Sequence, residues 1–429
     1  MKKHKSIVCS TRRLPRALLA AALAAALLTG CAGQEAGQSA SALPASESAA
    51  QINSSAVEKL LNGEHILNAA PRGYQGELLA QNGQGDYRVV DRFVCYTDYT
   101  TGVREPLCDV AGCTHKDENC PAFTPYSREV ALAGDWVLTC GRDADGTYSL
   151  DVRRPDGGDK KVLFSGLGKI SFHPLSAALE DGRIWLAMEG KAVLLDPETG
   201  ETEEGAELPE EFAGGAAFGS GLLHGFSDGK ELLEEYYQPS GDLKTDMQQQ
   251  EEILSETTFT VTVWDPRTGE EVPLLSWDNG KWQSLSCWNN KEILFSKAQG
   301  RFEAWDLATG ETTVLAENWP ENQFIVVGCV WDDHLMLETM WKAEPDNIDT
   351  WRECLFALDL VSGELTEITL RNHGGWGTTL PRIMGESEDM FYVISHGADT
   401  EYITEEMAVI SKADYYAGVD SMQPIKDVF

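Results

Sequence analysis

One phrase recurs along this chain and decides what it can fold into: an apolar residue followed by Asp-x-x-Thr/Ser-Gly-Glu. It occurs as Leu195-Asp196-Pro-Glu-Thr-Gly200-Glu201, Trp264-Asp265-Pro-Arg-Thr-Gly269-Glu270, Trp305-Asp306-Leu-Ala-Thr-Gly310-Glu311 and Leu358-Asp359-Leu-Val-Ser-Gly363-Glu364. Weaker copies stand at Asp98-Tyr-Thr-Thr-Gly102 and Asp151-Val-Arg-Arg-Pro-Asp-Gly157, and a last one, its glycine out of register, begins at Ile410-Ser-Lys-Ala-Asp414. The chemistry is that of a hairpin turn. The aspartate accepts N–H groups of the residues after it, and the glycine supplies the positive φ of the reversal. The flanks alternate, as in Phe259-Thr-Val-Thr-Val-Trp264 and Arg301-Phe-Glu-Ala-Trp305, which is strand periodicity.

Aspartates 98, 151, 196, 265, 306 and 359 are 53, 45, 69, 41 and 53 residues apart. A unit of about 40–50 residues carrying several strands is the spacing of β-propeller blades. Two stacked sandwiches would not repeat one turn at that interval. Upstream strand pairs such as Asp181-Gly-Arg-Ile-Trp185 and Asn289-Asn-Lys-Glu-Ile-Leu294 complete each unit. The expectation is an all-β propeller over 74–429, with seven blades as the count and six or eight compatible with it. A strand from Glu77 to Ala80 is expected to close the ring against the last blade and hide its edge. The wide fourth interval contains Asp242-Leu-Lys-Thr-Asp-Met-Gln-Gln-Gln-Glu-Glu-Ile-Leu254, an insertion in blade four read as either a helix capped by Asp242 or a disordered hairpin.

Trp305-Asp-Leu-Ala-Thr-Gly-Glu resembles the end of a WD repeat, but the upstream Gly-His dipeptide of that family is missing. The phrase is also similar to quinoprotein propellers, which place a docking tryptophan four residues after the glycine. Here Trp277 and Trp319 follow Gly269 and Gly310 by eight and nine. No quinone cofactor is carried over.

The first thirty residues have the parts of an export signal: basic groups up to Arg16, an apolar run from Ala17 to Leu28, then Leu28-Thr29-Gly30-Cys31. The run is too short to span a bilayer permanently. The last four residues resemble the lipobox of bacterial lipoproteins. That resemblance implies removal of 1–30, lipid on Cys31 and anchoring at the outer face of the cytoplasmic membrane. Residues 31–54, rich in Ala, Ser, Gly and Gln, read as a flexible tether. Residues 55–73 form a lead-in, with Ser55 and Glu58 placed as a capping box and Asn62-Gly63 as a helix stop.

Charge narrows the partners. The net charge is −35, and removing the six basic groups of 1–30, which hold no acidic residue, leaves −41. Such a field repels phosphate backbones, so nucleic acid is not an expected partner.

The densest chemistry lies in Cys108-Asp-Val-Ala-Gly-Cys113-Thr-His115-Lys-Asp-Glu-Asn-Cys120. Three thiols and an imidazole in one loop suit a tetrahedral Zn²⁺. Disulfide chemistry is the competing reading, because an exported protein meets oxidants, and free thiols are the third. Outside the signal and the anchor there are eight cysteines, 95, 108, 113, 120, 140, 287, 329 and 354, and Cys329 and Cys354 could pair across neighbouring strands. In each case the loop is expected to be pinned and not catalytic. Taken from lipobox through propeller and the Pro106-Leu-Cys loop, the chain resembles β-propeller lipoproteins of anaerobic Gram-positive bacteria, a family that brings no established reaction with it.

Other motifs are weaker. Asp143-Ala-Asp145-Gly146 starts like a calcium loop, but Thr147 stands where a third acidic residue belongs, so a hairpin is the better reading. His-Glu-x-x-His and a phosphate loop are absent from the sequence. Ten of the twelve tryptophans fall between Trp264 and Trp376, either as sugar-stacking faces or as fillers between blades. Two functions remain open at this level: a scaffold that binds a protein, peptide or glycan on one face without catalysis, and an envelope hydrolase or lyase with its site at the channel.

Overall fold

The computed structural model is a seven-blade β-propeller. It describes residues 54–428 apart from 70–79, 125–128, 173–174, 210–211, 213–215, 228–231, 234–235, 239–242, 322, 343–350, 372–380 and 397–404. Cys31, its signal and its tether lie outside the described residues, as do Asp242 and most of the strand expected from Glu77 to Ala80.

Each blade is an antiparallel meander running outward from the axis. Blade 1 comprises Ala80–Gln81, Gly85–Val90, Phe93–Asp98 and Val103–Pro106. Blade 2 comprises Glu129–Ala133, Trp136–Arg142, Tyr148–Arg153 and Lys161–Leu167. Blade 3 has Ala177–Leu179, Ile184–Met188, Lys191–Leu195 and Thr202–Glu207, with Ile170–Ser171 also pairing on its second strand. Blade 4 has Ala217–Phe218, Gly221–Ser227, Thr258–Trp264 and Glu271–Asp278. Blade 5 has Trp282–Trp288, Lys291–Ser296, Arg301–Asp306 and Thr312–Ala316. Blade 6 has Gln323–Trp331, His334–Lys342, Trp351–Asp359 and Leu365–Ile368. Blade 7 has Arg382–Glu386, Met390–His396, Glu405–Ser411 and Gln423–Pro424.

Period-2 alternation sends successive side chains into opposite wedges between blades. Leu335 and Leu337 pack with Ile293 and Phe302 of blade 5, whereas Met336 between them packs with Phe391 and Val393 of blade 7. Tryptophans fill these wedges: Trp136, Trp185, Trp264, Trp277 and Trp319 are buried, and Trp282 meets Trp305 edge-on at 5.3 Å. Every tryptophan whose burial is described is buried or half-buried, which favours the filler reading over sugar stacking.

The four strong phrases are the turns between third and fourth strands. Asp196 Oδ1 accepts the N–H groups of Glu198 and Thr199 at 2.8 and 3.3 Å, and the Thr199 hydroxyl donates to Oδ2 at 2.9 Å. The Gly200 N–H closes the turn on the Asp196 carbonyl at 2.8 Å, with φ +79° at the glycine. Asp265, Asp306 and Asp359 repeat this with Gly269, Gly310 and Gly363. Two weaker copies differ. In blade 2 Asp151 lies inside a strand and Arg154 takes the turn position, so the reversal comes three residues late. In blade 7 the turn swells into the helix Lys412–Ala417, capped by the Ser411 side chain and closed by Gly418 in the left-handed region.

Antiparallel order puts first–second and third–fourth turns on one face, here the turn face. Second–third connections and blade-to-blade connections share the opposite loop face. The insertion in blade 4 leaves from Ser227 and returns at Thr258, on the loop face, and carries the helix Leu243–Ser255. The turn face is covered at blades 3 and 4 by the helix Ser54–Leu61. The Leu60 carbonyl accepts the Ser220 N–H at 3.0 Å, and Glu64 bridges Arg183 and Arg267 at 2.9 and 2.8 Å. From there Ile66–Ala69 pairs with Ala177–Leu179, on the axial edge of blade 3. The lead-in thus contributes a strand to the ring.

Closure differs from expectation. Ala80–Gln81 is the first strand of blade 1 and meets blade 7 through the Gln81 side chain, which donates to the Met384 carbonyl at 3.0 Å. Blade 7 takes its four strands from its own segment. Instead Lys426–Asp427 crosses to blade 1 and pairs in parallel with Val103–Pro106.

Candidate metal centre

The connection from blade 1 to blade 2 has little core of its own and is held by what it crosses. The Leu107 N–H donates to the Val94 carbonyl, the Val94 N–H to the Ala122 carbonyl and the Thr124 N–H to the Arg92 carbonyl, at 2.7–2.9 Å. Phe123 packs edge-on against Phe93 at 5.6 Å, under the Arg92 guanidinium. From blade 2, Arg153 and Lys160 both donate to the Pro121 carbonyl, at 3.0 and 2.9 Å. Both ends of the loop are therefore clamped on strand, and the span between them turns through Gly112 at φ +76° and His115 at φ +50°.

That path gathers the four expected ligands. One donor atom each of Cys108, Cys113, His115 and Cys120 lies within 4.8 Å of the other three, and His115 Nδ1 is 3.3 Å from Cys120 Sγ. A tetrahedron with metal–sulfur bonds of about 2.3 Å has edges of about 3.8 Å, so the cluster needs only slight contraction. Among the described residues it is the single such group of three or more His, Cys, Asp or Glu side chains.

The electrostatics suit thiolates. The backbone N–H of His115 points at Cys113 and holds its pKa below the ordinary thiol value. Cys120 is pushed up to about 12 by burial, with the Ala122 N–H acting in the opposite direction. Two cysteines thus each face the N–H of the residue two positions on, a contact that stabilises sulfur carrying negative charge. A metal ion would overcome the burial of Cys120, since coordination deprotonates the thiol outright. With four protein ligands no coordination position stays open, which is the arrangement of structural and not catalytic zinc.

Sequence reasoning missed what surrounds the ligands. Cys95 is fully buried against the cluster, and its pKa, pushed up to about 12 by burial, marks it as a neutral filler. The docking through Val94, Ala122 and Pro121 has no local signal in the sequence.

No disulfide joins Cys329 to Cys354. Cys329 and Cys354 share blade 6 but are not neighbours. Cys329 faces Met336 and Cys354 faces Thr339, both on the strand that runs between them. Two inter-strand steps amount to roughly 9.5 Å, beyond the reach of a disulfide. Asp143–Thr147 is a hairpin in blade 2: the Asp143 N–H donates to the Thr147 carbonyl at 2.7 Å, and the Asp145 carboxylate is taken by the Thr147 hydroxyl at 2.6 Å.

No family model matches the chain, and no curated protein matches it. Among solved structures it is similar to the propeller domain of the Trilobed protease from Pyrococcus furiosus: 11% identity over 85% of this chain and 97% of that one, TM-score 0.43. A puromycin-hydrolyzing peptidase from Mycobacterium tuberculosis gives 12% identity over 88% of this chain and 55% of that one, TM-score 0.43. An oligogalacturonate lyase in complex with manganese gives 13% identity over 68% and 83%, TM-score 0.39. The chain spans about half the length of the peptidase, and at these identities the likeness is one of fold and no more.

Proposed function

We propose that the chain is an exported lipoprotein, anchored through Cys31 at the outer face of the cytoplasmic membrane, whose propeller binds a protein, peptide or glycan on its loop face. Zinc held by Cys108, Cys113, His115 and Cys120 pins the rim of that face between blades 1 and 2. The observation that carries the reading is the asymmetry of the disc. The turn face is sealed by tight Asp–Gly turns and by the helix Ser54–Leu61. The strand ends that send out the longest second–third connections (Ser227 and Thr258, Lys342 and Trp351, His396 and Glu405) all meet the loop face. Variable connections on a rigid scaffold are where recognition resides, and rigidity limits the entropy lost on binding.

The test is photo-crosslinking in intact cells. Crosslinkers at Asp145 and Gln299, both exposed on the loop face, are compared with Glu198 and Val361, both exposed on the turn face. Defined adducts from the first pair alone support the reading. Adducts from the turn face alone, or from neither, overturn it. Cys31→Ser releasing the protein from membranes checks the anchor separately.

A further inference from the structure

We infer that metal occupancy of the cysteine loop and closure of the ring by the C-terminal strand are coupled through one short strand, Val103–Pro106. The inference rests on the zinc reading above. At its start, this strand receives the closing segment. The Lys426 N–H donates to the Gly102 carbonyl at 2.8 Å and the Val428 N–H to the Arg104 carbonyl at 3.0 Å, and Arg104 Nη1 meets Asp427 at 3.3 Å. At its end, Pro106 runs through Leu107 straight into Cys108, the first ligand. Arg104 also reaches across the seam, donating from Nη2 to the Tyr392 hydroxyl of blade 7 at 3.1 Å and from Nε to Thr97 at 3.2 Å. One four-residue strand therefore carries the latch, the seam contact and the tether of the metal loop.

The latch is weak by itself. It consists of two residues of parallel pairing and an ion pair whose Asp427 is half exposed. Exposed ion pairs contribute little. The wedge it closes is also poor in apolar packing: its buried apolar residues are Tyr99, Met384, Tyr392 and Val409. Closure then depends on Val103–Pro106 staying in place. Without metal, the span between the two clamps, from Cys108 to Cys120, is ordered by its own turns and by the small core of Phe93, Cys95, Cys120 and Ala122. With metal, four ligands fix Cys108 relative to Cys120, whose neighbours Ala122 and Thr124 are clamped on blade 1. Fraying from Pro106 is suppressed, and the latch binds a preformed edge. By linkage, whatever metal does for the latch the latch does for metal affinity, by the same factor.

The test is hydrogen exchange of the full-length chain read by mass spectrometry, with zinc ion as the probe and a chelator to remove it. The expected result is one zinc per chain and at least fivefold faster exchange in residues 421–428 after chelation, with Thr258–Trp264 of blade 4 unchanged. Arg104→Met is expected to weaken zinc binding by a similar factor. Stoichiometric zinc with exchange at 421–428 unchanged within twofold overturns the coupling and leaves the metal site standing. Equal acceleration in blade 4 overturns it too, because that signals global loosening. A chain that takes up no zinc fails at the earlier step, the zinc reading itself. The chelation arm needs no substitution, so a poorly folding Arg104 variant does not spoil the test.

Discussion

Replacing Leu60 with alanine asks whether the lead-in belongs to the ring or merely hangs from it. Leu60 is 4% exposed and joins Val57, Phe218, Leu223 and Val263 in the cluster between blades 4 and 5. Truncation removes Cγ and both Cδ carbons from a dry site, worth about 2.4 kcal/mol at about 0.8 kcal/mol per carbon. A cavity adds to this, because Phe218 and Leu223 are fully buried in blade 4 and cannot follow the lost atoms. The short helix, held from one side only, can settle into part of the gap. The net expectation is a loss of about 3 kcal/mol. The backbone anchors remain, since the Leu60 carbonyl still accepts from the Ser220 N–H and hydroxyl at 3.0 and 3.2 Å. The loss therefore reports packing alone. Urea unfolding followed by tryptophan fluorescence gives the value, read as a midpoint shift at constant slope. A loss below about 1 kcal/mol would refute the docking of this helix.

Gly363→Ala is expected to cost about 3 kcal/mol, since φ is +76° there and a Cβ would lie 2.3 Å from the Leu315 carbonyl oxygen. Gly83→Ala, at φ +77° but in open space, should cost only about 1 kcal/mol, and denaturation midpoints that fail to separate the two would sink the argument. The backbone N–H groups of Ser362 and Val361 hold Asp359 below the ordinary carboxylate range; at Asp196 burial acts upward and is outweighed by the Thr199 hydroxyl and the Glu198 N–H. A lowered folded pKa stabilises the fold above about pH 4 and loses that contribution as pH falls further. Asp359→Asn should accordingly flatten the acid limb of a melting-temperature profile, and an unchanged slope would count against it. Asp86 and Arg88 form a buried ion pair at 2.6 Å. Either one changed to alanine should cost about 3–5 kcal/mol, whereas Asp86→Leu with Arg88→Met should cost less than either, which a double-mutant cycle decides.

What could be read from the sequence was local, and what could not was long-range. The Asp-x-x-Thr-Gly turns announce themselves because each makes its own hydrogen bonds within six residues. Blade 2 hid its turn because Arg154 stands where the phrase has Asp, and the aspartate read in that role, Asp151, belongs to a strand. The candidate metal ligands were legible as residue types in one loop, but their convergence depends on Val94 and Pro121, which carry no such signature. The pairing of Cys329 with Cys354 failed on register, since a whole strand separates them. Ring closure by Lys426–Asp427 was invisible because two residues of pairing join positions 323 apart in the chain. The Asp86–Arg88 pair did leave a trace: charges at i and i+2 in a strand share a face, and here that face is the seam.

That seam differs in make-up as well as in size from the wedges between blades 2 and 3 and between blades 6 and 7. Blades 2 and 3 meet through Leu138, Leu150, Ile184 and Leu186, and blades 6 and 7 through Met336, Leu355, Phe391 and Val393, all fully or nearly fully buried. Separating either pair would expose mainly this hydrocarbon to water, at about 25 cal/mol for each Å², beside partly exposed polar contacts such as Glu129 with Ser171 and Arg382 with Glu338. At the junction of blades 7 and 1, Arg88 instead lies over the Tyr392 ring at 4.9 Å, Tyr99 stacks on Tyr392 at 5.0 Å, and Asp86 and Arg104 are buried beside them. Opening there rehydrates an ion pair and two guanidinium groups, which returns part of the desolvation cost incurred on closing. No covalent continuity opposes the opening either, because this is the one junction at which successive blades are not consecutive in the chain. A ring that yields anywhere yields here first. The C-terminal latch and the strand it pairs with, which leads into the cysteine loop, stand at the place where the seam itself supplies the least resistance.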